Sequence, residues 1–136
     1  MREIKFRVWD INAKLFYRPK EYGDYQGHYH LNLNGEFTRF ASGVGGKEVV
    51  VQQCTGLKDK TGKDIYEGDI VRYVEKMHEH GDSQVLTATV IYDNDYGAWG
   101  LGKNEEHIWN YFLDFTVVKN SVEVLGNIFE NKDLLK

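Results

Sequence analysis

The stretch TGLKDKTGKDIYEGDIVRY, residues 55–73, decides the fold. It crowds two tight-turn signals and two short apolar runs together and offers no obvious catalytic group. Asp59-Lys60-Thr61-Gly62 suits a type I turn, with Asp first to accept a backbone hydrogen bond and Gly last. Tyr66-Glu67-Gly68-Asp69 suits a type II turn, whose third position needs a positive φ. Each turn is expected where a strand reverses, with Leu57 and Ile65 flanking the first as a packed pair. The second turn feeds IVRYVEKM, 70–77, in which Val71 and Tyr73 alternate with Ile70, Arg72 and Val74.

Working outward, EIKFRVW at 3–9 alternates Ile4, Phe6 and Val8 with Glu3, Lys5 and Arg7, the period of a half-buried strand, and leaves Trp9 on the polar face. LFY, 15–17, returns after the turn-like DINAK, and PKEYGDYQG, 19–27, reads as a loop. In HYHLNLNGEFTRF, 28–40, a three-residue loop of Leu33, Asn34 and Gly35 sets Leu31 across from Phe37, so a bulged hairpin is expected. ASGVGG, 41–46, suits a flexible junction before the strand KEVVVQQ.

Beyond the opening stretch, HEHGDS at 78–83 is a polar loop. QVLTATVIYD at 84–93 is a β-branched run long enough to bend across a barrel. NDYG marks a turn, AWGL a strand and KNEEH a loop. IWNYFLDF, 108–115, fits a helical face through Ile108, Tyr111, Phe112 and Phe115, and a strand through its aromatic content. VEVL, 122–125, reads as the closing strand, and Asn131 as the cap of a last helical turn through Leu135.

A chain of 136 residues fits one domain. At that size about two thirds of the unfolded surface is buried on folding, enough for a core without metal or disulfide staples. Nine Tyr, seven Phe, three Trp and fourteen Gly beside one Pro favour short strands over long helices. A lone cysteine, Cys54, excludes an internal disulfide and reads as a buried, inert thiol. No apolar run approaches the roughly 20 residues of a membrane span and the N-terminus lacks a signal-peptide core, so a soluble, cytoplasmic protein with no membrane partner is expected. Residues 1–54 carry 8 basic and 6 acidic side chains (+2), and residues 55–136 carry 9 and 15 (−6), so any phosphate-binding footprint belongs to the first half.

Three motifs, REIKFRVWD at the start, TGLKDKTGKDIYEGDIVRY in the middle and GNIFENKDLL at the close, occur in the order and spacing of the YopX family of phage and prophage proteins, which the chain resembles over its whole length in outline. Residues 10–50 and 76–110 are the least constrained by the likeness. The resemblance implies a mainly β fold: a small SH3-like β-barrel built around the EGDIV turn and the strand after it. With the strand readings, this gives a single domain over 1–136, with N-terminal strands and a hairpin over 1–46, the barrel over 47–136, and at most short helices. It brings no established activity and no catalytic residues.

The chemistry-bearing patterns all have plainer readings. His28/His30 and His78/His80 each place two imidazoles about 7 Å apart on an extended segment, but neither pair has a third ligand at an obvious spacing, so solvated loop residues and no metal are expected. DNDYG, 93–97, lacks the Gly and Glu of a calcium loop, having Ala98 and Asn104 there, and GVGGK, 43–47, lacks the spacing of a phosphate loop. Asp64, Glu67 and Asp69 lie beside the two turns and read as caps and solvated charges rather than as an acid/base pair. Lys5, Arg7 and Trp9 share one strand face and, with Arg2, form the one candidate nucleic-acid footprint, against the alternative of an ordinary outer face with Trp9 covered by another segment. The expectation is therefore a non-enzymatic module without cofactor that binds a host or phage protein or a second copy of itself. A nucleic-acid-binding barrel in phage replication or transcription is the alternative.

Overall fold

The computed structural model describes residues 4–16, 28–31, 37–40, 49–76, 81–104, 107–111 and 120–136, and among them it is built from strands. In chain order these are β1 (Phe6–Asp10), β2 (Leu15–Phe16), β3 (His28–Leu31), β4 (Phe37–Phe40), β5 (Val49–Lys58), β6 (Asp64–Tyr66), β7 (Asp69–Lys76), β8 (Ser83–Asp93), β9 (Ala98–Asn104), β10 (His107–Tyr111) and β11 (Val122–Asn127), followed by a 3-10 turn at Lys132–Leu135. The chain divides into two compact units, Phe6–Gln53 and Met1–Lys5 with Cys54–Lys136.

In the smaller unit β1 pairs antiparallel with β2 and with the first half of β5. The Asp10 carboxylate accepts from the amides of Asn12 (2.9 Å) and Ala13 (2.7 Å), and Lys14 takes a φ of 55°, which makes DINAK the expected turn. β3 and β4 pair with Leu31 opposite Phe37, the expected register, while the loop between them and the 41–46 junction lie outside the described residues.

The larger unit holds a five-stranded antiparallel sheet in the order β10-β9-β8-β7-β11, curled as half a barrel, in keeping with a small β-barrel class. Its concave core comes from Val71 and Tyr73 of β7, Ala88 and Val90 of β8, Leu101 of β9, Val122 of β11 and Ile65 of β6, all buried, with Leu57 packed against them. The register explains the set: Val71 faces Ala88 and Val124, and Val90 faces Leu101, so alternate residues of neighbouring strands share the face. On the opposite face Val74 stands across from Val85, and both are exposed, whereas Ile70, Thr89 and Ile91 are buried. The C-terminal 3-10 turn lies against β8. β8 is exposed at its start, enclosed over Ala88–Ile91 and exposed again at Tyr92.

Three expectations need correction, and the open choice between helix and strand over 108–115 is decided in part. Ile4 and Phe6 are 65% and 42% exposed, while Trp9 and Gln52 are 6% and 3% exposed. The expected apolar face of β1 is thus covered at Val8 alone, and the face that reads as polar is covered at Trp9, which packs across the strand on Phe16. The second tight turn closes no hairpin: β6 pairs with β5, and β7 with β8 and β11, so Gly68 (φ 74°) carries the chain from one set of partners to another. Residues 107–111 are strand, paired with β9 through two register shifts, with 112–115 outside the described residues. Asn131 sits at the cap position, but its side chain turns away from the helix and accepts from the Asn127 amide (3.2 Å).

Candidate functional site

The first turn shows why so much turn chemistry was needed. Asp59 carries it: the Gly62 amide donates to the Asp59 carbonyl (3.0 Å), and the Asp59 amide to the Lys63 carbonyl (2.8 Å). Gly62 has a φ of 88°, so this is a type I turn followed by a left-handed glycine, the geometry of a bulged hairpin. One carboxylate oxygen of Asp59 accepts from the Thr61 amide (2.8 Å), the Thr61 hydroxyl (2.6 Å) and the Lys63 amide (2.9 Å). The other accepts from the Val124 amide of β11 (2.9 Å), while the Lys60 amide donates to the Val122 carbonyl (2.9 Å). The turn therefore satisfies the outward backbone groups of an edge strand, which would otherwise be a template for pairing. Burial pushes the Asp59 carboxyl up, yet these hydrogen bonds together hold it below its usual value.

The second turn meets the same strand from the other end. Asp69, 1% exposed, accepts from the Tyr66 amide (2.8 Å). The Gly68 amide donates to Val90 of β8 (2.8 Å), and its carbonyl accepts from Ile128 (2.9 Å). The GNIFEN segment then folds back on itself: Asn127 Oδ1 accepts from the amides of Phe129 and Glu130 (3.0 Å each). Far-apart sequence motifs are in this way brought together around β11.

Two further carboxylates, Asp64 and Glu123, are neutralised by neighbouring cations. Asp64 is held below its usual value by a hydrogen bond from Lys58 (2.7 Å), with Lys5 second (3.3 Å). Glu123 is lowered by Lys60 (2.6 Å), then by Arg72 (2.5 Å). These groups do the work of caps and ion pairs. Asp59 was legible as a turn former, but its tie to Val124 left no local signal.

Of the candidate footprint, Arg2 lies outside the described residues. Lys5 pairs with Asp64, and Arg7 donates from Nε to Gln52 Oε1 (2.8 Å) with its guanidinium 4.7 Å from the Phe16 ring centre. Trp9 meets Phe16 edge-on at 4.9 Å and is buried, so its ring is turned to the protein rather than to a nucleobase. Cys54 is buried, as expected. The side chains of His28, His30, His78 and His80 lie outside what is described. Among the described residues no group of three or more His, Cys, Asp or Glu is placed to hold a metal ion, and no helix is long and apolar enough to cross a membrane.

Two solved structures are similar to the chain along the full length of both partners. Protein EF1440 from Enterococcus faecalis matches with a TM-score of 0.61 at 22% identity, and protein yopX from Bacillus subtilis with 0.57 at 19%. At such identities the likeness concerns the fold. No curated protein matches the chain in sequence. The model of the family described as YopX protein matches residues 5–136, and the chain belongs to the YopX family.

Proposed function

We propose that this chain is a non-enzymatic interaction module of a phage or prophage, acting in the bacterial cytoplasm on a host or phage protein or on a second copy of itself. The observation that carries the reading is how the polar and aromatic side chains are used. Asp64 and Asp69, two of the three carboxylates that sequence alone could offer for acid/base chemistry, are engaged by lysines and by the Tyr66 amide. Meanwhile Tyr96 is 78% exposed, and tyrosine is a residue that interfaces favour. The nucleic-acid alternative draws less support, since Trp9 is buried and Lys5 and Arg7 are held by Asp64 and Gln52.

The test is a tagged pull-down from a phage-carrying host lysate, with and without nuclease. A protein retained after nuclease treatment supports the module. Retention of nucleic acid alone, or loss of everything with nuclease, replaces it with the nucleic-acid reading.

A further inference from the structure

We infer that the tip of the β8–β9 hairpin is a docking surface for a cationic, arginine-bearing segment of a protein partner; the inference rests on the interaction-module reading and names its surface and chemistry. Three aromatic residues lie between positions 92 and 99. Tyr92 and Trp99 are cross-strand partners in edge-to-face contact at 4.8 Å, and Trp99 is packed against the core, which anchors the pair. Tyr92 is 36% exposed, and Tyr96, at the turn, is 78% exposed.

This tip is held in place. The Asp93 carboxylate accepts from the amides of Asp95 (2.9 Å) and Tyr96 (3.3 Å), and Gly97 takes a φ of 60°, so the backbone beneath Tyr96 is fixed before any partner arrives. A preorganised aromatic loses less freedom on binding than a mobile one.

Charge selects the occupant. Asp93 and Asp95 are chain neighbours of Tyr92 and Tyr96, and the sequence from 77 to 102 contains Glu79, Asp82, Asp93 and Asp95 but no Lys or Arg. An acidic rim repels phosphate backbones, while a guanidinium gains from both features, stacking on a tyrosine face and pairing with a carboxylate.

The experiment is an amide-resolved NMR titration of the full chain with a short peptide alternating arginine and glycine, and with a glutamate–glycine peptide as control. The arginine peptide is expected to shift amides between 92 and 99. Tyr96→Ala is expected to weaken it about fivefold, the worth of about one exposed cation–π contact. Asp95→Asn is expected to weaken it and to flatten its salt dependence. The inference is overturned if the arginine peptide shifts nothing in this region, if the glutamate peptide does as well, or if both variants bind like the wild type.

Running the lysate capture in parallel with the Tyr96→Ala and Asp95→Asn variants separates the two readings. A partner retained equally by wild type and both variants overturns this surface and leaves the module standing. If the wild type captures no partner, the module reading fails, and the peptide titration alone judges the surface.

Discussion

The Asp59 carboxylate accepts a hydrogen bond from the Val124 amide at 2.9 Å across 65 residues of sequence, and through it the tip of one hairpin closes the edge of the larger sheet. That single side chain also holds its own turn, so removing it should cost more than an ordinary cap.

Asp59→Ala leaves the Val124, Thr61 and Lys63 amides without their acceptor. Hydrogen bonds to a charged group contribute about 1.5–3 kcal/mol each, though not additively, and the expected loss is about 3 kcal/mol. Urea unfolding followed by far-ultraviolet circular dichroism measures it. A change below about 1 kcal/mol would show that the edge is held by packing alone.

Acid should unfold the protein by the same route. Asp59 and Asp64 both titrate below the usual carboxylate value of 3.8 in the folded chain, Asp59 because its hydrogen bonds outweigh burial and Asp64 chiefly through Lys58. The unfolded chain therefore binds protons first. The stability these groups contribute is complete above about pH 5 and is lost as pH falls through 3.8 toward the lower folded values. Unfolding midpoints measured from neutral to acid pH should show a decline that is shallower in Asp59→Asn than in the wild type.

Two glycines should fail differently. Gly62 has a φ of 88° and open space around it, so Gly62→Ala meets no neighbour and costs only conformational strain, about 1–2 kcal/mol. Gly62→Asn, which tolerates the left-handed region, should recover much of that loss. A Cβ at Gly126 would overlap the Asn131 carboxamide, so Gly126→Ala must break the Asn131 to Asn127 bond. Hydrogen exchange should then rise at Asn127, Phe129 and Glu130 in Gly126→Ala and stay unchanged there in Gly62→Ala.

Thr89 is 7% exposed and its hydroxyl is buried without a hydrogen-bond partner. Thr89→Val keeps the shape, suits a strand and removes the desolvation cost, so it should stabilise the protein by about 1 kcal/mol. An unchanged or lower urea midpoint would mean that the hydroxyl has a partner in solution.

What sequence could tell depended on how far the relevant chemistry reached. The Asp59 to Gly62 turn was legible because an Asx carboxylate, its nearby amides and a left-handed glycine are all local. The Leu31 to Phe37 register was legible because loop length fixes it. The face of β1 was not. Alternation marks two faces but not how far each is covered, and a buried Gln52 beside Arg7 and a Trp9 set edge-on to Phe16 cover the face that reads as polar, while Val8 alone is buried on the other. Ile70 and Ile91 were hidden for a related reason, since they share a face with the exposed Val74 and Val85, and alternation does not say where along a strand the cover begins. The candidate footprint was chosen from residue type, and its members' partners, Asp64 and Gln52, come from strands more than forty residues away.

The closure of β11 also sets a timetable for folding during synthesis. β7 pairs with β8 as soon as that hairpin has left the ribosome, but its other side, and the acceptor and donor offered by Asp59 and Lys60, wait for residues 122–127. Contacts of such long sequence separation form late and are entropically costly to nucleate. Until then the nascent chain carries an unpaired strand beside a preformed turn, and a ribosome that stalls before β11 would leave a growing surface ready to pair with the wrong neighbour.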